Sequence, residues 1–391
     1  MKNGVHFTRL QELGDATIVA GEYYRGADLG DGKPIADSAP FVARLDADGN
    51  VVWRHDLRGR ADILDVYVAP DGSSYLVGQA NGEMQYGPGV VEPRHSDTLD
   101  AFVAALGPDG TLLWRHQYGI DQKFSDFKTI RASGNGLEVV GNMPAGLDLG
   151  NGPVATDQAD HRVRVDYDLQ GHFHGATVLA EDPYTPAAIE RVNGRALSFA
   201  VGGEMPTVAR LDYTAADGST WTKQIDDSGE GQFGDAMLLD TGEVVLVGSF
   251  QYDLTLDDHY LTADHNAGFL AGLAPDGHVA WTVDLPIKGR ERIYLGALAR
   301  TRSGGLLVGG SFDGELGGDH PVKAVSGLPA LNHETDAGLL IAVSADGKVD
   351  AIHALPAPIR NLVVGKHVYL AYGYSAGPDE VCLMHDPVWT N

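Results

Sequence analysis

Phe41-Val-Ala-Arg-Leu-Asp-Ala-Asp-Gly-Asn-Val-Val-Trp53 returns about 60 residues later as Phe102-Val-Ala-Ala-Leu-Gly-Pro-Asp-Gly-Thr-Leu-Leu-Trp114, and again as Phe269-Leu-Ala-Gly-Leu-Ala-Pro-Asp-Gly-His-Val-Ala-Trp281. A chain that repeats itself at this period stacks one supersecondary unit many times. Each phrase is an apolar run, an Asp-Gly turn and a second apolar run. That order reads as a β-hairpin, because glycine takes a positive φ without steric cost.

Two further phrases recur around it. One is an alternating apolar stretch such as Ile63-Leu-Asp-Val-Tyr-Val-Ala-Pro-Asp-Gly72. The other is a strand ending in glycine: Ile18-Val-Ala-Gly21, Tyr75-Leu-Val-Gly78, Val139-Val-Gly141, Val245-Leu-Val-Gly248 and Leu307-Val-Gly-Gly310. Each unit therefore reads as four antiparallel strands, A to D. No helical period persists anywhere. Units fall at about 1–58, 59–120, 121–180, 181–228, 229–287, 288–354 and 355–391, within one domain spanning 1–391. The tryptophan slot holds Trp53, Trp114, Gly175, Trp221, Trp281, Ala351 and Trp389. The expected fold is an all-β, seven-bladed β-propeller of four-stranded antiparallel blades, with six or eight blades as the alternatives.

The Asp-Ala-Phe-Val-Ala form of the phrase, at Asp100-Ala-Phe-Val-Ala-Ala-Leu106 and in variant form at Asp336-Ala-Gly-Leu-Leu-Ile-Ala-Val343, resembles the bacterial SBBP-type seven-bladed propeller repeat. The resemblance implies the propeller fold and a secreted or cell-surface setting, and it carries little chemistry.

The formal charge is −26. Nucleic acid and anionic membranes are polyanions, so both are poor partners for this chain. Apolar runs are strand-sized, which argues against membrane insertion. Met1-Lys-Asn-Gly-Val-His6 leads into no apolar h-region. The setting is then cytoplasmic if Met1 is native, and extracellular or cell-envelope if the start is trimmed. The single cysteine, Cys382, rules out an intrachain disulfide. A monomer is expected.

In a propeller the B–C connections crowd one face, and here they are long: about 22–40, 79–100, 142–159, 249–266 and 311–337. Long irregular loops on a repeat scaffold commonly carry function. They are also acid-rich. Candidate binding residues on this face are Tyr23, Tyr24 and Arg25, then Tyr86 and His95 in the second unit. Further along come His161, Tyr184, Tyr252 and Tyr260. Tyrosine suits contacts to proteins and sugars.

Asp257, Asp258, His259 and His265 gather in one loop, with His320 in the next unit. Mixed histidine and carboxylate sets suit a divalent metal, although no metal-binding signature is present. No nucleophile elbow or phosphate-binding glycine loop occurs, so no catalytic residue is assigned and no cofactor beyond such a metal is implied. The leading expectation is a non-catalytic binding or scaffold protein that meets a protein or glycan through its acidic, loop-rich face. The alternatives are a carbohydrate-active hydrolase or lyase working at the central channel and a cytoplasmic assembly or inhibitor protein.

Overall fold

A computed structural model describes residues 5–13, 16–23, 29, 32, 39–87, 89–155, 159–179, 188–202, 208–226, 232–287, 292–301, 304–313, 322–324, 337–344, 347–355, 358–364 and 368–372. Blade 1 runs β1 (Val5–Leu13), β2 (Ala16–Tyr23), β3 (Ala39–Leu45) and β4 (Val51–Asp56). Blade 2 has β5 (Arg58–Val68), β6 (Ser74–Gln85), a short β7 (Val91–Glu92) paired to β6, β8 (Asp100–Leu106) and β9 (Leu112–Tyr118). Blade 3 has β10 (Asp126–Ser133), β11 (Gly136–Pro144), β12 (Asp160–Asp168) and β13 (Phe173–Val178). Blade 4 has β14 (Ala188–Val192), β15 (Arg195–Gly202), β16 (Val208–Thr214) and β17 (Thr220–Asp226). Blade 5 has β18 (Gln232–Leu238), β19 (Val244–Leu256), β20 (His259–Leu273) and β21 (Val279–Pro286).

Blade 6 comprises β22 (Ile293–Arg300), β23 (Leu306–Phe312), β24 (Val322–Ala324), β25 (Ala337–Val343) and β26 (Val349–Leu355). In it β24 lies parallel beside β26 as an added outer strand. The remaining hairpin joins β27 (Ile359–Val364) to β28 (Val368–Tyr372). The fold is an all-β β-propeller with six four-stranded antiparallel blades, not the seven expected. Among the described residues, 355–391 contributes two strands in place of four beyond the end of blade 6. The features that suggested a full seventh blade, Asp386-Pro387 and Trp389, lie outside those residues.

The chain forms two compact units, blades 1–3 in one and blades 4–6 with the last hairpin in the other. Within each unit, apolar side chains of neighbouring sheets meet face to face. Ile18, Ala20 and Val42 of blade 1 share a core with Ile63, Leu76 and Phe102 of blade 2. Val77 and Val103 of blade 2 pack with Phe127, Val139 and Val165 of blade 3. In the second unit Leu211 and Tyr213 pack with Leu246 and Phe269, and Val247 and Leu270 pack with Leu295 and Ile341. Strands B and C sit mid-sheet and are buried on both faces. That explains their unbroken apolar runs, such as Ala101–Leu106.

Both recurring glycines have a physical reason. The first strands of blades 1, 2, 3, 5 and 6 carry a bulge, at Phe7/Arg9, Ile63/Asp65, Phe127/Thr129, Phe233/Asp235 and Leu295/Ala297, and β27 repeats it at Ile359/Asn361. The bulge drives a strand-A carbonyl against strand B. A Cβ on Gly78, Gly141, Gly248 or Gly310 would collide with the carbonyl of Asp62, Asp126, Gln232 or Tyr294. In the Asp-Gly turns only the glycine has a positive φ, +80° at Gly49 and Gly110. These are type I turns closed by a glycine bulge.

The turn glycines also receive the tryptophan of the preceding blade. Trp53 Nε1 donates to the Pro108 carbonyl at 2.8 Å, Trp114 to Leu169 at 2.9 Å and Trp221 to Pro275 at 2.9 Å. A Cβ at Gly110 would stand 2.7 Å from the Trp53 ring and one at Gly277 3.0 Å from Trp221. Gly171 under Trp114 and Gly347 under Trp281 leave still less room. Two residues after the tryptophan a second side chain reaches the same glycine carbonyl. His55 Nδ1 meets Gly110 at 3.0 Å, His116 Nε2 meets Gly171 at 2.8 Å, and Lys223 Nζ meets Gly277 at 2.8 Å. Gly175, in the slot of blade 3, has no side chain to make such a tie.

Gly218 and Gly277 share a φ of +86°, but nothing lies within 4 Å of a Cβ built on Gly218. Gly218→Ala should therefore cost only the backbone term, about 1 kcal/mol. Gly277→Ala should cost about 1–3 kcal/mol more through displacement of Trp221. Denaturant melts of the two variants measure the difference, and equal losses would contradict the tie.

Candidate functional site

Three of the long B–C connections are built inward rather than outward. In blade 5 the segment 249–266 is a continuation of β19 and β20. It pairs Asp253 with Thr262, Leu254 with Leu261, Thr255 with Tyr260 and Leu256 with His259. Leu254, Leu256 and Leu261 alternate with polar residues and enter the core shared by blades 4 and 5. In blade 2 Met84 and Tyr86 are fully buried beside Leu57 and Phe102. In blade 3 Leu147 and Leu149 join the core with blade 2.

This folding-down accounts for the metal candidates. Asp257 sits at the tip of the β19–β20 hairpin with a φ of +55°. Its carboxylate binds Lys223 Nζ at 2.5 and 2.7 Å and accepts the Val279 N–H at 2.8 Å. Burial pushes the Asp257 carboxyl up, but Lys223, the Val279 N–H and His278 outweigh it and hold the group below the usual carboxylate value. His259 turns both ring nitrogens inward, Nε2 to the Val279 carbonyl at 3.2 Å and Nδ1 to Thr282 Oγ1 at 3.4 Å. Asp258 is exposed, and His265 packs edge-on against Tyr252. His320 lies outside the described residues. Among the described residues no three histidine, cysteine or acidic side chains converge as a metal site, and Asp257 and His259 of the expected grouping are engaged elsewhere. Its charges pin a flap to the neighbouring blade.

The binding candidates divide in the same way. Tyr86 is corrected from a contact residue to a core residue. It is 0 % exposed, edge-on to Phe102 and beneath the Arg115 guanidinium, and its carbonyl meets His55 Nε2 at 2.8 Å. His95 bonds Glu92 at 3.0 Å, and Glu92 also binds Arg115 at 2.8 Å. His161, on β12, is half-buried opposite Met143. Tyr23 ends β2, while Tyr24, Arg25 and Tyr184 lie outside the described residues. Tyr252 and Tyr260 are exposed, 56 % and 64 %.

Two openings lie at the blade end where strand A begins and strand B finishes. Directly after the recurring strand-B glycine come Glu22, Gln79, Asn142, Ser249 and Ser311. All are polar: one acid, two amides and two serines. Between blades 5 and 6 this end opens into a cavity of about 750 Å³. Gln232, Ser249 and Gln251 line one side, His265 and Asn266 another, and Tyr294, Ser311 and Asp313 close it from blade 6. Asp313 accepts the backbone N–H of Arg292 and donates its own N–H to the Arg292 carbonyl, at 3.0 Å in the second bond.

The matching opening between blades 1 and 2, about 350 Å³, brings Glu22 and Asp62 together with Arg60. Asp62 accepts Gln79 Nε2 at 2.7 Å. Burial, then a hydrogen bond and repulsion from Asp62, push the Glu22 carboxyl from 4.5 up to about 7. The Glu22 carboxyl therefore keeps its proton toward neutrality. Sequence reasoning missed Glu22, Asp62, Gln79, Gln251 and Asn266. Three of these, together with Ser249 and Ser311, lie within three residues of a recurring glycine, the one signal that could have singled them out.

Two outcomes follow. A double-mutant cycle of Lys223→Ala and Asp257→Ala should give a coupling of about 1 kcal/mol in chemical denaturation, whereas zero coupling would release Asp257 from the flap role. The native state also holds the Glu22 proton more tightly than the unfolded chain does. Its stabilising contribution is thus complete below about 4.5 and lost as pH rises through about 7. The Tm should fall between roughly pH 5 and 8, and Glu22→Gln, which keeps a donor toward Asp62, should flatten that slope. An unchanged slope would rule Glu22 out as its source.

No protein-family model matches this chain, and no curated protein sequence matches it. Among solved structures it is similar to the β-propeller domain of the Trilobed protease from Pyrococcus furiosus, at 10 % identity and a TM-score of 0.46 over 94 % of this chain and 91 % of that one. It is also similar to BamB from Moraxella catarrhalis, at 13 % identity and a TM-score of 0.39 over 93 % and 92 %. The WD40 domain of SCAP from fission yeast gives 8 % identity and a TM-score of 0.39 over 99 % and 69 %. At these values none of them bears on what the chain does.

Proposed function

We propose that this chain is a non-catalytic β-propeller binding module that holds a protein or glycan partner at the end of its blades where strand A begins and strand B finishes. One observation carries the reading. Residues that recur from blade to blade are consumed by ties between blades, whereas Glu22 and Gln79 line one open cavity, Ser249 and Ser311 line another, and the two cavities differ in chemistry. Variation on a fixed scaffold is how a repeat protein makes one specific surface. The resemblance of the repeat to SBBP-type proteins agrees with this and adds no chemistry of its own. The charge of −26 directs the face away from polyanions and toward neutral or basic partners.

The Glu22–Asp62 pair gives the hydrolase or lyase alternative its one specific support, because a carboxyl held neutral beside a carboxylate can act as a general acid. The opening that contains it presents no histidine. The test displays the purified chain to arrayed glycans and peptides and compares it with Gln79→Ala and Gln251→Ala. A saturable ligand, released chemically unaltered and bound at least about tenfold more weakly by one of these variants, is the expected result; tenfold corresponds to about 1.4 kcal/mol. A ligand returned cleaved, with cleavage lost in Glu22→Gln, would overturn the binding reading.

A further inference from the structure

Resting on that reading, we propose that the cavity between blades 5 and 6 is a carbohydrate subsite, in which Tyr252 is the stacking platform and the surrounding amides and hydroxyls read an uncharged sugar. Tyr252 is the first support. It occupies the bulge between the Gln251–Asn266 and Asp253–Thr262 pairs of β19 and β20, with a φ of +63°. That backbone region is unfavourable for a bulky side chain, and such outliers collect at binding sites. Glycine would sit there without strain, yet the chain places an aromatic ring there, 56 % exposed at the cavity wall. His265 meets the ring edge-on at 5.9 Å between centroids and 65° between planes. The exposed ring still offers surface to a ligand, and sugars present C–H faces that pack on aromatic rings.

The polar lining is the second support. Gln251, Asn266, Ser249 and Ser311 are neutral, and each side chain can both donate and accept, as a sugar hydroxyl does. A cavity of about 750 Å³ falls in the range of small-ligand pockets and exceeds the needs of a single small ion. A peptide would need an apolar hole for an anchor side chain or an unpaired strand edge to extend. The apolar residues here, Ile293 and Phe312, are 4 % and 7 % exposed and already committed to the core with blade 5. Strands β19, β20 and β23 have a partner on each side, while β22 is the edge of its sheet, so what turns a peptide away is the missing apolar hole. Arg292 and Asp313 both stand in the wall and offset each other's charge, and an anionic ligand is disfavoured by the chain's charge of −26.

The experiment uses the full chain and four uncharged probes, cello-, manno-, galacto- and chito-oligosaccharides, titrated by calorimetry. Tyr252→Ala, Tyr252→Gly and Gln251→Ala are compared with Tyr260→Ala, which alters an exposed tyrosine away from the cavity. Saturable binding of at least one probe is expected. It should be weakened at least about tenfold by each Tyr252 variant and by Gln251→Ala, and kept by Tyr260→Ala; tenfold corresponds to about 1.4 kcal/mol. Tyr252→Gly removes the strained side chain, so its Tm should be unchanged or higher while binding is lost, an outcome that a purely structural tyrosine would not give. Absence of saturable binding to all four probes overturns the sugar assignment, as does binding that survives Tyr252→Ala. A displayed peptide captured by the chain and lost in Tyr252→Ala would also overturn it while leaving the binding module standing. Chemical turnover of a probe would instead strike at the module reading itself.

Discussion

A half-buried indole lying on a glycine of the next blade is the contact around which the other features arrange themselves. It demands three things at once: a tryptophan on the outermost strand, a turn whose glycine has a positive φ, and a carbonyl beside that turn aimed at the indole N–H. Each requirement is weak alone. A net hydrogen bond is worth about 1 kcal/mol, and burial of an aromatic face adds a few more. Together they fix the outer edges of neighbouring sheets, while the apolar cores fix the middle and the strand-A bulge fixes the inner approach. The partners two residues on, His55, His116 and Lys223, reinforce the same glycine carbonyl with three different placements of charge. The geometry is therefore more uniform than the side chains that serve it.

The same economy explains where the acidic residues went. Long polar insertions look like free loops, and their aspartates look like an available ligand set. In blades 2, 3 and 5 the insertions instead cover the seam with the preceding blade, carrying leucine, methionine and tyrosine into the core and using carboxylates as pins. Asp257 with Lys223 and Glu92 with Arg115 are the clearest instances. In the Asp-Gly turns, Asp46 Oδ1 accepts the N–H groups of Asp48 and Asn50 at 2.9 and 2.8 Å. Much of the acidity is thus structural, and the surface left for recognition is smaller and less charged than composition implies.

The fold was readable because its constraints repeat. Tryptophan, Asp-Gly and the Val-Gly strand end recur since the same collision or contact recurs, and a repeated residue needs no alignment to be noticed. The blade count was less secure, because one slot is filled by Gly175, another by Ala351, and the last by Trp389 on spacing alone. The candidate site was harder still. Tyr86 adjoins Gly87-Pro88-Gly89 and so reads as a loop tip, whereas its burial depends on packing from blade 1 that no local pattern encodes. The β19–β20 hairpin was more accessible. Leu254 and Leu256 show a strand's period of two, and Leu261 follows across the turn, but the Asp257-Asp258 pair drew attention to charge instead. Residues such as Gln251 and Asn266 are visible only once the strands are paired, since their neighbourhood is made across a ladder.

The tie has a direction that matters beyond stability. Blades 1, 2, 4 and 5 offer an indole forward from the last strand, and blades 2, 3, 5 and 6 receive one at the turn just before that strand. Both halves of the joint therefore travel in one stretch of sequence, from the Asp-Gly turn to the tryptophan. A duplicated stretch of gene would deliver a blade that already fits the copy before it and the copy after it. Lengthening or shortening such a chain needs no new interface to be invented, only the loss of an indole where a run of joints is to stop. Positions such as Gly175 and Ala351 can then be understood as punctuation in an otherwise extensible text.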